Sequence, residues 1–347
     1  MSLNIAIVGA GAIGGYLGVK LALSGNKVTF IARGENLKAI QANGMTLNLE
    51  DGTSLHAPNV KACTIDEATP HDYVFLTMKS HQVSPVAEQI GRLCHDNTAV
   101  VTLQNGVPWW YFYNLVGEYQ NRQLTSIDPG GAQWQHIGPE RVIGAVVYPA
   151  AELVAPGVVK LIEGNRFTLG EPSGEKSERV TALAQAMIAA GFKTPVSTDI
   201  RSELWVKLWG NLTFNPVSAL THATLEDICN FDLTRNLAAT MMAEAQTVGE
   251  KLGVQFKISI DKRIAGAQAV GAHKTSMLQD IEHGKALELE ALLGSVIELG
   301  RICNMPTPTL DSVYAMTRLL EQSVLRKGKG LSLDLVFSRT QALATKA

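Results

Sequence analysis

The fold is set by residues 4–15, Asn4-Ile5-Ala6-Ile7-Val8-Gly9-Ala10-Gly11-Ala12-Ile13-Gly14-Gly15. Apolar residues before Gly9 predict a buried strand, and glycines in G-x-G-x-x-G spacing follow it, ahead of a helix-compatible run. Gly9 permits a tight turn, Gly11 lets the backbone approach a pyrophosphate, and Gly14 lets the helix pack closely on its strand. The first N–H groups of that helix and its positive dipole end favour an anion. The stretch therefore predicts dinucleotide binding at Gly9, Gly11, Ala12, Ile13 and Gly14, rather than a plain strand–turn–helix.

The composition is that of a soluble globular protein long enough for two domains. The chain has 347 residues, of which 46% are hydrophobic and 18% charged, and its formal net charge is -2. A formal net charge so close to zero predicts no binding to nucleic acid or to an anionic membrane. The start of the chain carries no signal-peptide pattern, and no run of about 18 apolar residues predicts a membrane span. A cytoplasmic location is therefore expected.

The four cysteines, Cys63, Cys94, Cys229 and Cys303, are widely spaced and form no metal-ligand pattern. They are expected to be reduced, and no metal site is predicted.

Arg33 bears on the choice between the two nicotinamide cofactors. It follows the predicted second strand, Asn26–Ala32, where NAD-binding folds usually place an acidic residue against the ribose 2′-hydroxyl. An arginine there can instead bind a 2′-phosphate through charge-assisted hydrogen bonds. The sequence therefore favours NADP(H), although Glu35 is compatible with NAD and Arg33 is also compatible with a solvated loop position.

Two further polar residues follow predicted parallel strands. The strand Tyr73–Met78 ends at Lys79, and the strand Thr98–Leu103 is followed by Asn105. In open α/β sheets, ligands bind along the edge where parallel strands end. Lys79 and Asn105 are therefore candidate cofactor-binding residues, the alternative being ordinary loop positions.

Other elements are predicted from local patterns. Residues 45–57 read as a hairpin around a D-G turn, and His81–Leu93 as a helix. Arg141–Val147 and Gly157–Leu169 are expected to close the sheet. The aromatic run Trp109–Tyr113 is expected to be an aromatic-anchored helix at a domain interface, or alternatively a wall of the substrate pocket.

The most informative helix is predicted from Arg201 to Asn215, just before Pro216. Lys207, Asn211 and Asn215 drift only about 80° at about 100° per residue, so they form one polar stripe. A lysine flanked by tryptophans and leucines would be partly desolvated, which lowers its pKa and suits it to proton transfer. The alternative is a lysine on an ordinary exposed face.

The second half of the chain is expected to be helical. Strand signals fade after residue 200, and further helices are predicted at Phe231–Leu252, Ile258–Val270, Lys285–Cys303 and Thr309–Arg326. We expect an α/β dinucleotide-binding domain at 1–198, a helical substrate and catalytic domain at 199–330, and a C-terminal tail at 331–347. The apolar helices are compatible with a homodimer and equally with a monomer.

Taken together, these residues resemble the ketopantoate reductase (2-dehydropantoate 2-reductase) family from about residue 4 to about residue 325. The matching set is the glycine turn, Arg33, Leu76-Thr77-Met78-Lys79, Gln104-Asn105-Gly106, the R-x-E-L-W-x-K-L-x-x-N-x-x-x-N-P run from Arg201, Ser276-Met277-Leu278-Gln279-Asp280 and Glu288.

The resemblance implies an N-terminal Rossmann-type domain, an all-helical C-terminal domain and an active site in the cleft between them. It implies NADPH-dependent reduction of a 2-oxo acid to a 2-hydroxy acid, most simply 2-dehydropantoate to pantoate in pantothenate biosynthesis. Lys207 would be the general acid. The other implied roles are substrate binding by Asn211, Asn215 and Ser276, cofactor contact and ordering of the lysine by Glu288, 2′-phosphate binding by Arg33 and Lys79, and nicotinamide binding by Asn105.

The departures from the family pattern lie on the substrate side. His273 stands where an asparagine often precedes the serine motif by three residues, and the run Trp109–Tyr113 is unusually bulky. Reduction of a different, bulkier 2-oxo acid or ketone is therefore an alternative. A non-catalytic NADP-binding sensor is a second alternative.

Overall fold

The computed structural model describes residues 2–332, which divide into two compact units, one ending at Leu204 and one beginning at Trp205. The domain limits predicted from the sequence stay a prediction. The predicted tail falls outside the described residues from position 333 onward.

A seven-stranded sheet is the centre of the first unit as described. Its strands follow the spatial order β11-β8-β7-β6-β1-β2-β5, and all neighbours are parallel except β8 and β11. Their bounds are Asn4–Val8 (β1), Lys27–Ile31 (β2), Lys61–Cys63 (β5), His71–Leu76 (β6), Cys94–Thr102 (β7), Val142–Val147 (β8) and Phe167–Gly170 (β11). The middle strands are apolar because both faces of the sheet are covered, and Ile5, Phe30 and Phe75 are fully buried.

A smaller sheet was not expected from the sequence. It has the order β4-β3-β10-β9, with strands Met45–Asn48 (β3), Ser54–Ala57 (β4), Ala150–Ala155 (β9) and Val158–Glu163 (β10). The predicted hairpin is confirmed as the antiparallel pair β3–β4. The prediction that all of Gly157–Leu169 closes the main sheet is wrong, because β10 pairs with β3 and β9.

The helices of the first unit are α1 (Ala12–Leu23), α2 (Gly34–Asn43), α3 (Ala87–Arg92), α4 (Ala132–His136) and α5 (Glu178–Ala189). Helix α1 packs against the small sheet, and Gly15 permits the contact because a Cβ there would lie 2.4 Å from Met45 and 2.6 Å from Val159. The predicted helix His81–Leu93 is wrong in its first half, where two short 3-10 turns, Ser80–Gln82 and Ser84–Val86, precede α3.

The aromatic run forms consecutive turns, so the predicted helix over Trp109–Tyr113 is wrong. The Trp110 indole N–H donates to the Thr102 hydroxyl at 2.9 Å, and its ring covers Gly144, whose added Cβ would lie 2.7 Å away. The guanidinium of Arg201 donates to the carbonyl of Tyr111 at 2.8 Å. These side-chain hydrogen bonds within the first unit therefore stabilise the turns.

The second unit, as far as it is described, is helical. Its helices are α6 (Ile200–Thr221, which begins in the first unit), α7 (Leu225–Asn230), α8 (Asp232–Lys251), α9 (Ile260–Gln268), α10 (Ser276–Glu282), α11 (Ser295–Ile302) and α12 (Pro308–Lys327). A π-helical turn, Glu290–Gly294, leads into α11, so the predicted start at Lys285 is too early. The predicted α/β fold followed by an all-helical part is confirmed.

Helix α6 continues through Pro216, so the predicted end at Asn215 is wrong. A proline in a helix removes one backbone hydrogen bond and strains the preceding turn. Phe214, Val217 and Ala219 on both sides of it are buried. Their burial offsets the free-energy cost of the proline, so tertiary packing outweighs the local tendency of a helix to end before a proline.

Candidate active site

The glycine turn between β1 and α1 depends on the conformation and the small size of its glycines. Gly9 has φ +106°, a conformation that side chains rarely adopt, and its amide N–H donates to the Ile31 carbonyl at 3.1 Å. A Cβ on Gly14 would lie 2.1 Å from the Gly9 carbonyl oxygen. Both glycines are therefore required by the backbone path itself.

Gly11 serves a different purpose from its neighbours. It precedes α1 as the N-cap, with φ -83° and no side-chain cap, and a Cβ built on it would meet no atom within 4 Å. The first N–H groups of a helix have no intrahelical partners, and together with the helix dipole they favour an anion. An uncapped helix start facing open space fits the pyrophosphate of a dinucleotide.

The predicted cofactor residues of the first unit all follow neighbouring parallel strands. Arg33 follows β2 as the N-cap of α2 and is exposed, Lys79 follows β6, and Asn105 follows β7. Strands β2 and β6 flank β1, which carries the glycine turn. The sheet therefore brings the four features to one edge, as expected for a ligand site in an open α/β sheet.

Glu35, the residue compatible with NAD, forms an ion pair within its own helix. Its carboxylate lies 2.9 Å from the Lys38 ammonium, one turn along α2, and both side chains are exposed. The role of Arg33 at a 2′-phosphate stays a prediction.

Two residues that sequence reasoning left without a role hold this edge together. The Thr77 hydroxyl donates to the Gly9 carbonyl at 2.6 Å and lies next to the glycine turn. The Gln104 amide donates to the carbonyl of Leu76 at 2.9 Å. A polar residue directly after an apolar strand, as Thr77 is after β6, is the signal that identifies such a contact in a sequence.

In the second unit, α6 presents the predicted polar stripe. Lys207 and Asn211 are partly exposed, and Asn215 is 7% exposed. Trp209 anchors α6, because its indole N–H donates to the Met242 carbonyl of α8 at 2.8 Å and its ring is buried. Trp209, and not the polar stripe, thus fixes how α6 is rotated about its own axis.

Lys207 and Glu288 are brought together by the fold of the second unit, although 81 positions separate them in the chain (288 − 207). Burial lowers the pKa of the Lys207 ammonium to about 8, while the negative charge of Glu288 acts in the opposite direction. Desolvation destabilises a cation and a nearby carboxylate stabilises it. The result is a lysine that is mainly protonated at neutral pH and that releases its proton readily.

The backbone around Glu288 is held from α12. The buried Glu321 carboxylate accepts the Leu287 N–H at 2.8 Å, and the Tyr314 hydroxyl donates to the Glu290 carboxylate at 2.6 Å. Hydrogen bonds therefore fix the chain on both sides of Glu288.

Ser276 is the first residue of α10 and is exposed, with Thr275 as the helix N-cap. His273, three residues earlier, is partly exposed, and its carbonyl accepts the Leu225 N–H at 3.0 Å. The substrate-binding roles of Asn211, Asn215 and Ser276 stay predictions.

Within residues 2–332, no helix combines the length and the apolar character that crossing a membrane requires. Among the same residues, no cluster of three or more His, Cys, Asp or Glu side chains is arranged to hold a metal ion.

Comparisons with known proteins agree with this geometry. The family model "Ketopantoate reductase PanE/ApbA" matches residues 5–174, and "Ketopantoate reductase PanE/ApbA C terminal" matches residues 199–321. A curated relative from Mesorhizobium japonicum, named 2-dehydropantoate 2-reductase, is 56% identical over 92% of this chain and 98% of its own length.

Solved structures show the same architecture. A protein from Ralstonia solanacearum MolK2 has a TM-score of 0.88 at 38% identity and covers 93% of this chain and 99% of its own. The structure of 2-dehydropantoate 2-reductase from Geobacter metallireducens GS-15 has a TM-score of 0.78 at 29% identity, covering 92% of this chain and 99% of its own.

Proposed function

The chain belongs to the ketopantoate reductase family, and we propose that it catalyses the NADPH-dependent reduction of 2-dehydropantoate to pantoate. The observation that carries the proposal is the Lys207 ammonium, whose pKa is lowered to about 8 beside Glu288. A binding protein has no need of a desolvated lysine, whereas a reductase needs a proton donor. The predicted enzyme class and cofactor follow from this family.

The first unit would supply most of the cofactor contacts, and Glu288 of the second unit one more. The N–H groups of Gly11, Ala12 and Ile13, at the start of α1, would bind the pyrophosphate. Arg33 and Lys79 would bind the 2′-phosphate end, and Asn105 would bind the nicotinamide end. When bound, NADPH supplies the hydride.

The second unit supplies the proton. Lys207 Nζ would donate a proton to the carbonyl oxygen of the 2-oxo acid as the electron pair of the C=O π bond moves to that oxygen. The product is the 2-hydroxy acid, and the neutral lysine regains its proton from water. Glu288 keeps the donor protonated between turnovers, because its charge opposes the effect of burial on the pKa of Lys207.

The substrate is held by neutral polar groups on α6 and α10. Asn211 and Asn215 lie one and two turns beyond Lys207 on α6, and Ser276 begins α10. Amide and hydroxyl donors suit the carboxylate and hydroxyl oxygens of a small hydroxy acid. The homodimer and the cytoplasmic location stay predictions.

The test is a substrate panel with the purified full-length chain. NADPH oxidation is followed spectrophotometrically with 2-dehydropantoate, with bulkier 2-oxo acids and with NADH in place of NADPH. We expect the highest kcat/KM for 2-dehydropantoate with NADPH. A higher value for a bulkier acid would support the alternative substrate, and no oxidation with any acid, despite NADPH binding, would support a sensor.

A further inference from the structure

Asn36, on the first turn of α2, uses both ends of its side-chain amide on backbone groups. Its Nδ2 donates to the Ala10 carbonyl at 2.6 Å, inside the glycine turn. Its Oδ1 accepts the Gly157 N–H at 2.7 Å, just before β10. Because one partner is an acceptor and the other a donor, a flipped amide would satisfy neither, so the orientation of the side chain is fixed.

The bond to Ala10 bears on the peptide that faces the ligand. In a trans peptide the carbonyl of one residue and the N–H of the next point in opposite directions. The Ala10–Gly11 peptide ends at a glycine, and the permissive φ of Gly11 leaves that peptide plane easier to rotate. Asn36 removes this freedom by holding the Ala10 carbonyl toward α2.

The other bond ties the same amide to a rigid part of the unit. The Gly157 carbonyl accepts the Thr46 N–H at 2.9 Å, which joins it to β3 of the small sheet. Asn36 is thus supported from the small sheet while it holds the glycine turn. None of these bonds involves Arg33, the residue assigned to the 2′-phosphate.

We propose that Asn36 is a positioning residue for the dinucleotide: it fixes the Ala10–Gly11 peptide so that the Gly11 N–H is presented to the pyrophosphate. This inference rests on the proposed function, because it takes NADPH as the ligand of the turn. The pyrophosphate is common to NADPH and NADH, so loss of Asn36 weakens both cofactors by the same factor. Loss of Arg33, by contrast, affects NADPH alone.

The test compares Asn36→Ala with a matched control, Asn26→Ala. Asn26 also joins two backbone groups, donating to the Leu21 carbonyl and accepting the Leu3 N–H, each at 3.1 Å, at the other end of α1. The dissociation constants of NADPH and NADH are measured by calorimetry, together with the melting temperature of each variant. We expect Asn36→Ala to weaken both cofactors about tenfold, a typical effect of one lost hydrogen bond. Asn26→Ala should change the melting temperature but neither dissociation constant.

A second variant, Asn36→Asp, keeps the acceptor for Gly157 but places a carboxylate against the Ala10 carbonyl and near the pyrophosphate. It should weaken both cofactors at least as much as Asn36→Ala. This variant also keeps the test decisive if Asn36→Ala does not fold.

Three outcomes overturn the proposal. Wild-type affinity for both cofactors in either variant shows that the turn needs no support from Asn36. A loss confined to NADPH shows that Asn36 acts through Arg33. If the wild-type chain binds neither cofactor, the proposed function fails as well, and this separates the two failures.

Discussion

The two units differ in the kind of chemical group that forms their predicted ligand sites. In the first, the groups predicted to bind the pyrophosphate are backbone N–H groups, placed by glycines such as Gly9 and Gly14 whose conformation or packing excludes a side chain. In the second, the proposed proton donor is the side chain of Lys207, whose pKa depends on burial and on Glu288. Backbone sites depend on local geometry, whereas a tuned lysine depends on residues distant in sequence. Substitutions in the two units should therefore produce separable defects.

The largest expected effect is that of Lys207→Ala. Removing a general acid typically costs about 10²–10⁴-fold in rate. We therefore expect kcat to fall at least about 100-fold, with the dissociation constant of NADPH nearly unchanged, because Lys207 is not among the residues predicted to bind the cofactor. Steady-state kinetics and calorimetry measure the two quantities. Lys251→Ala, an exposed lysine at the end of α8, is the control. A kcat within tenfold of wild type would rule out Lys207 as the proton donor.

Arg33→Ala should change the binding of one cofactor, NADPH, whereas Lys207→Ala should change the rate of the reaction. Hydrogen bonds to charged groups contribute about 1.5–3 kcal/mol, which corresponds to about a tenfold or larger loss of NADPH affinity. The affinity for NADH should stay near the wild-type value, since NADH has no 2′-phosphate. Arg92→Ala, which removes an exposed arginine of α3, is the control. Equal losses for the two cofactors would contradict the assignment of Arg33.

The same contrast explains what the sequence alone could predict. The turn Gly9–Gly14 was readable because each glycine answers a local requirement, and Lys207 stood out because apolar residues flank it on one helix. The small sheet was not readable, since β3 pairs with β10 across more than 100 intervening positions and each strand is short. The end of α6 was misjudged because burial around Pro216 outweighs the local preference.

Within the glycine turn, two substitutions should separate stability from binding. Gly14→Ala places a Cβ 2.1 Å from the Gly9 carbonyl oxygen, so we expect the free energy of unfolding to fall by about 1–3 kcal/mol, as in other overpacked sites. Gly11→Ala meets no atom within 4 Å and has an extended backbone, so its stability should match wild type. Its methyl group nevertheless occupies the space in front of α1, and NADPH should bind about tenfold more weakly.

Denaturant unfolding and NADPH titration of both variants measure these effects, each variant serving as the control for the other. Unchanged NADPH affinity in Gly11→Ala would show that the pyrophosphate does not approach the start of α1. An unchanged free energy of unfolding in Gly14→Ala would show that the turn relaxes around the added methyl group.

The smallest expected effect is a displacement of the pH profile by Glu288→Gln. A general acid works in its protonated form, so kcat of the wild type should fall as pH rises through about 8, the pKa of Lys207. Glu288 raises that pKa against the effect of burial, and the neutral glutamine removes the charge, so the falling limb should move to lower pH. Glu250→Gln, an exposed position on α8, should leave the profile unchanged. If the falling limb of the kcat profile stays in place or moves to higher pH in Glu288→Gln, this carboxylate does not raise the pKa of Lys207. The proposed role of Glu288 would then be wrong, whereas the role of Lys207 as proton donor would be unaffected.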